Sequence, residues 1–231
     1  MRAPAMGCTA TRREMEDGTT THLRELTVSA LIDRLDSSDP VPGGGSAAAI
    51  AGAMGAALVG MVVSLTTGRP GAEEHEEQLA ALRASSADAH DTMLDLAQRD
   101  SVAYQSVVTA RRLPRETDEQ RQARREAVGR AMHDAAEAPL LTARLAVAVL
   151  EDAAAVAPIG NVNAASDAGV AALLAWTALR GAILNVRINL PYLAADDPLK
   201  GADRELNELQ ARGDALRQAT EATVDRRLGA P

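Results

Sequence analysis

One stretch of the chain, Ser46 to Thr67, carries apolar and small residues without a single charge. Ala48, Gly52, Ala56 and Gly60 recur there at every fourth position. That spacing predicts a buried helix with a seam of small side chains for close helix contact. Length alone would let the run cross a membrane. About half of it is Ala or Gly, which lipid takes up weakly, and no aromatic belt follows, so a core helix is expected rather than a span.

The remaining pattern is helical throughout. Residues Leu26 to Ser37 have apolar spacing at Leu31 and Leu35, with Thr27 as candidate N-cap. A loop rich in Pro and Gly, Asp39 to Ser46, separates this element from the apolar run. Residues 73 to 112 carry a stripe through Leu79, Leu82, Ser86, Ala89, Met93, Leu96, Asp100, Ala103 and Val107. It predicts one long helix or two abutting ones, closed by Leu113-Pro114. Arg115 to Arg125 reads as a charged linker, followed by a helix to about Ala136 and another, started or kinked by Pro139, to about Ala155. After the polar loop Gly160-Asn161-Val162-Asn163, Ser166 is placed to cap a long apolar helix from Asp167 to Leu190. Asp196 to Gly201 reads as a turn, and 202 to 228 as an amphipathic helix with Leu206, Leu209 and Leu216 inward. No strand signal or internal repeat competes. The expected fold is all-α, a bundle of long, Ala-rich buried helices in one domain over 23–229, preceded by a disordered polar tail, 1–22.

Composition sharpens this picture at three points. Aromatic residues make up 1% of the 231, so the core must be Ala, Leu, Val and Ile, which favours tight helix contacts. The net charge of −8 argues against a nucleic-acid surface, and any anionic ligand would need a local pocket of Arg or helix N-termini. The single cysteine, Cys8, allows no internal disulfide. No signal peptide is visible, and a cytoplasmic location is expected.

Four features carry candidate chemistry. Pro42-Gly43-Gly44-Gly45-Ser46 opens the apolar helix with N–H groups unshielded by side chains, which suits either an anion or simply close packing. Asp100 occupies a core position of its stripe, with Tyr104 one turn later. Burial would raise its pKa towards that of an acid/base group at neutral pH; alternatively it is a structural carboxylate paired with an Arg such as Arg111. Asn161 and Asn163, followed by Ser166-Asp167, offer more capping side chains than one helix start requires. Asn185 and Asn189 lie i, i+4 on an apolar helix, where they either bond across the bundle or face a polar heterocycle. His22, His75, His90 and His133 are scattered, so no metal site is expected.

In their order, these motifs resemble the formiminotetrahydrofolate cyclodeaminases and the related methenyltetrahydrofolate cyclohydrolases. The resemblance rests on Pro42–Ser46 with its Ala/Gly helix, Thr67-Gly68-Arg69, Asp100-Ser101-Val102-Ala103-Tyr104, Leu113-Pro114, Gly160-Asn161 with Ser166-Asp167, and Asn185-Val186-Arg187-Ile188-Asn189-Leu190. It covers about residues 24 to 195. It implies a cyclodeaminase-like helical fold, a homodimer, a tetrahydrofolate substrate with no further cofactor, and the family's catalytic aspartate at Asp100. The reaction implied is cyclodeamination of 5-formiminotetrahydrofolate to 5,10-methenyltetrahydrofolate with loss of ammonia. The alternative is hydrolysis of the methenyl form to 10-formyltetrahydrofolate. Beyond the family match, chemistry suggests Tyr104 as the group orienting Asp100. It also suggests Asn161, Asn163, Asp167, Asn185 and Asn189 as contacts to the pterin or the bridge, and Gly43, Gly44, Gly45, Ser46 and Arg69 as contacts to the anionic tail. A folate-binding or interaction module without catalysis, and a membrane-associated helical protein, are the readings of other classes.

Overall fold

The structure, a computed structural model, describes residues 22–229. Apart from His22, the expected tail and its Cys8 lie outside the described residues. Those described form six α-helices and short 3-10 turns, with no strand among them. The helices are α1 (Val28–Leu35), α2 (Gly44–Thr66), α3 (Glu76–Arg111), α4 (Asp118–Ile159), α5 (Ala165–Asn189) and α6 (Asp203–Arg227).

α2 packs one face against α3, α5 and, less extensively, α4, and its small residues set how closely they approach. A methyl group at Gly52 would come within 2.7 Å of Met93 Cε, and one at Gly55 within 2.9 Å of the Ala171 carbonyl oxygen. Gly181 meets Ala48, and Gly44 faces Asn185. The start of α2 therefore lies beside the end of α5, and the two helices run antiparallel. α2 and the segment Val162–Tyr192 are long and apolar enough to span a membrane. Both contribute their inner faces to the shared core of Ala, Val and Leu around Met93.

Three expectations are corrected. The linker Arg115–Arg125 shrinks, because α4 already starts at Asp118: Thr117 and Gln120 form a reciprocal capping box, a signal overlooked among the surrounding charges. α4 then runs unbroken through Pro139, giving 42 residues where two helices were expected. Proline forfeits one intrahelical bond. Here Pro139 is buried between Ala138 and Leu140, and the packing of that face holds the helix through it. Ser166 is not an N-cap: α5 starts one residue earlier, out of a 3-10 turn (Val162–Ala164) capped by Asn161, whose side chain accepts from the Asn163 N–H. Thr27 does cap α1, accepting from the Ala30 N–H at 3.2 Å.

Candidate functional site

At the end of the bundle where α2 begins and α5 finishes, a cleft of about 380 Å³ opens between α3, α4 and the turn after α5. Its wall contains Gly43, Gly44, Gly45, Asp100, Tyr104, Asn185 and Asn189, so seven of the expected site residues come together.

Asp100 is the chemical centre of this wall. The Ser46 hydroxyl donates to its Oδ2 at 2.9 Å and also meets the Ala97 carbonyl oxygen at 2.9 Å and Ser101 Oγ at 3.0 Å. Gly45 lets the carboxylate reach the start of α2: a methyl group there would lie within 2.6 Å of Asp100 Cγ. Burial pushes the Asp100 carboxyl above its ordinary value, and hydrogen bonds from the Ser46 hydroxyl and backbone pull part of the way back. The group thus stays ionisable while being readier than a surface aspartate to hold a proton.

Two roles are reassigned by this geometry. Ser46 is fully buried, with its hydroxyl engaged on three oxygens, so it positions Asp100 and cannot touch a ligand. Tyr104 lies one turn along the same face of α3 with 44% of its surface exposed. It makes no hydrogen bond to Asp100 among the described residues; the orienting group is Ser46.

Asn185 and Asn189 present acceptors to the cleft. Asn189 Nδ2 donates to the Ala135 carbonyl at 2.8 Å and to the Asn185 carbonyl at 2.9 Å, and Asn185 Nδ2 donates to the Gly181 carbonyl at 2.8 Å. Because these partners are carbonyls, the amide orientations are fixed: nitrogen towards backbone. No donor reaches either Oδ1 among the described residues.

Arg69, Asn161, Asn163 and Asp167 are not brought to this cleft. Asn161 donates from its backbone N–H to Thr66 Oγ1 at 2.8 Å and from Nδ2 to the Leu65 carbonyl at 3.3 Å, at the far end of α2. At 1.5 Å per residue, that end is about 33 Å from Gly44. Arg69 is exposed just beyond it, Asp167 lies in the first turn of α5, and Asn161 itself serves as a cap. The expected single site therefore divides into a cleft and a remote loop pair.

The sequence reading missed other parts of the wall: Arg111, Met132, Ile188 and Tyr192. Arg111 had been weighed as a partner for Asp100, yet no ion pair joins them among the described residues. The available signal was periodicity, since 100, 104, 107 and 111 form one stripe of α3. Among the described residues no group of three or more His, Cys, Asp or Glu side chains gathers to hold a metal ion.

Comparison with known proteins adds an independent line. Residues 27–223 match the family model described as formiminotransferase-cyclodeaminase. The chain is 41% identical over 200 residues to the methenyltetrahydrofolate cyclohydrolase of Methylorubrum extorquens, covering 86% of this chain and 95% of that protein. It is 30% identical to the formimidoyltransferase-cyclodeaminase of Rattus norvegicus, covering 78% of this chain but 34% of that protein. A crystal structure of formiminotetrahydrofolate cyclodeaminase from Thermotoga maritima superposes with a TM-score of 0.78 at 26% identity, covering 87% of this chain and 97% of that one.

Proposed function

This chain belongs to the formiminotransferase-cyclodeaminase family and is a folate one-carbon enzyme; from that premise we propose that it hydrolyses 5,10-methenyltetrahydrofolate to 10-formyltetrahydrofolate, with Asp100 as the acid/base group. The observation that carries the mechanism is the Asp100 carboxylate, set against Gly45 and Ser46 on the wall of an open cleft. The choice of reaction rests on similarity to the cyclohydrolase across nearly that protein's whole length.

The substrate's methenyl carbon is cationic and bridges N5 and N10. An ionised Asp100 beside it stabilises that charge and accepts a proton as water adds to the carbon. A C–O bond forms, giving a neutral tetrahedral carbinolamine. The C–N5 bond then breaks as the hydroxyl loses its proton and N5 gains one; Asp100 shuttles it, leaving the formyl group on N10. The balance is one water consumed and one proton released. A carboxyl held above its ordinary pKa by burial holds and returns that proton more readily than a surface aspartate does. The Asn185 and Asn189 oxygens suit the amino and ring N–H donors of a pterin.

The same residues can serve cyclodeamination, the reaction first expected, and the likeness to the Thermotoga cyclodeaminase favours it as the second reading. There, N10 attacks the formimino carbon, ammonia leaves, and Asp100 moves the proton. Absorbance at the methenyl band separates the two. Faster decay of methenyltetrahydrofolate than in buffer supports hydrolysis; appearance of the band from formiminotetrahydrofolate, with ammonia released and no accelerated decay, overturns it in favour of cyclodeamination.

The expected cytoplasmic homodimer belongs to this reading. Met54, Met61 and Leu65 of α2 and Val170, Leu173, Leu184 and Ile188 of α5 are exposed. Helical spacing turns both sets to the same side of the antiparallel pair, without a charged residue between them. Two helices about 33 Å long and about 9 Å apart offer on the order of 600 Å². A stable interface takes about 800 Å² per partner, so a second copy, with modest additional contacts, is the occupant that fits.

A further inference from the structure

We propose that Arg111, lying over the Tyr192 ring, forms an anion subsite that binds the carboxylate of the substrate's glutamate tail and thereby selects folates over tailless pterins. The inference rests on the folate reading above and adds the determinant of affinity that reading lacks.

The cleft wall contains two charged side chains, Asp100 and Arg111. They lie on one face of α3, 11 residues apart, which is about 16 Å along the helix axis. Most arginines near carboxylates here are engaged; Arg24, Arg99, Arg144 and Arg212 are examples. Arg111 has no carboxylate within ion-pair distance among the described residues. Its Nη2 reaches only Met132 Sδ, at 4.0 Å, and its guanidinium lies 5.9 Å from the centre of the Tyr192 ring. A guanidinium oriented over an aromatic ring keeps its donor edge outward, and that fork matches a carboxylate.

Tyr192 is itself held in place. It closes the 3-10 turn Leu190–Tyr192, and Lys200 Nζ donates to the carbonyls of Leu190 at 2.9 Å and Leu193 at 3.0 Å. The platform for Arg111 is thus tied to the turn that ends α5.

The alternatives for an anionic tail fit less well. The N-terminus of α2 already faces a carboxylate, that of Asp100. Arg69 stands at the opposite end of α2. With the one-carbon bridge at Asp100, the substrate's aminobenzoyl ring and glutamate extend along the stripe of Tyr104 and Val107 towards Arg111.

The test compares tetrahydrofolate with tetrahydropteroate, which lacks the glutamate, by calorimetric titration of the wild type, Arg111→Met and Arg111→Lys. The wild type is expected to bind tetrahydrofolate about tenfold to a hundredfold more tightly than tetrahydropteroate, the range of hydrogen bonds to a charged group. Arg111→Met should lose that preference by weakening tetrahydrofolate alone, and Arg111→Lys should recover part of it. Unchanged binding of tetrahydropteroate reports that Arg111→Met is folded. A wild type with no preference, or an Arg111→Met protein that keeps it, overturns the proposal. A wild type that shows the preference but turns over no folate upholds the subsite and removes the reaction reading instead.

Discussion

Ser46 holds Asp100 through one hydroxyl that also meets Ala97 and Ser101, and its hydrogen bond lowers a carboxyl that burial raises. Removing it with Ser46→Ala should therefore shift Asp100 further up. The proposed hydrolysis uses the ionised form, so the acid limb of the kcat/KM profile should move to higher pH, with activity at neutral pH falling about tenfold, the cost of one hydrogen bond to a charged group. An acid limb that stays in place would show that Ser46 only packs. At this scale the sequence told part of the story. Asp100 on an apolar stripe signalled a costly carboxylate, and Asn185 with Asn189 signalled a polar strip on an apolar helix. What it could not show was that Ser46 would be turned inward, because which of several small polar residues meets a buried carboxylate is decided by helix contacts. Arg111 was hidden for a similar reason: its charge resembles a surface residue until Tyr192, brought from far along the chain, is seen beneath it.

The elements were legible where periodicity was strong and illegible where local chemistry overrode it. The uncharged run predicted α2, and its four-residue spacing of small side chains predicted the close approach now seen at Gly52 and Gly60; the contact at Gly55 lies outside that spacing. The stripe from Leu79 to Val107 follows the buried face of α3. Pro139 misled because helix-breaking is a local cost of about 3 kcal/mol or more, and the long buried face of α4 outweighs it. The loop pair at Gly160–Asp167 misled in another way. Its asparagines carried the right residue types for a ligand, but Asn161 spends its side chain on the Asn163 N–H and the Leu65 carbonyl, tying two helices together. The length of α2, about 33 Å, then separates that loop from the cleft.

At the scale of the whole molecule, the two most apolar helices bury one face each and leave the other to solvent. Leu184 is 64% exposed and Ile188 66%, and Ile188 also lines the cleft. A charge placed in that stripe should prevent a second copy from seating. Leu184→Arg is expected to elute as a monomer in size-exclusion chromatography with light scattering, at half the wild-type mass and with unchanged helix content. A wild type that is already monomeric, or a variant that still pairs, removes this face as the interface.

Asp100 carries the proposed chemistry, and replacing it with Asn separates catalysis from stability. A carboxyl raised by folding is protonated in the folded state over a window of pH where the unfolded chain has already lost its proton. Its cost to stability is absent below the ordinary value of 3.8, grows through that window and is complete above it. Asp100→Asn keeps an oxygen for Ser46 and carries no charge. Measured together, its turnover of methenyltetrahydrofolate at neutral pH and its thermal midpoint as pH falls from neutral towards the ordinary value of 3.8 give the decisive result. Turnover of Asp100→Asn is expected to be lower by about 100-fold to 10,000-fold. Its midpoint is expected above that of the wild type at neutral pH, with the gain shrinking as pH falls. Turnover near that of the wild type would remove Asp100 as the acid/base group.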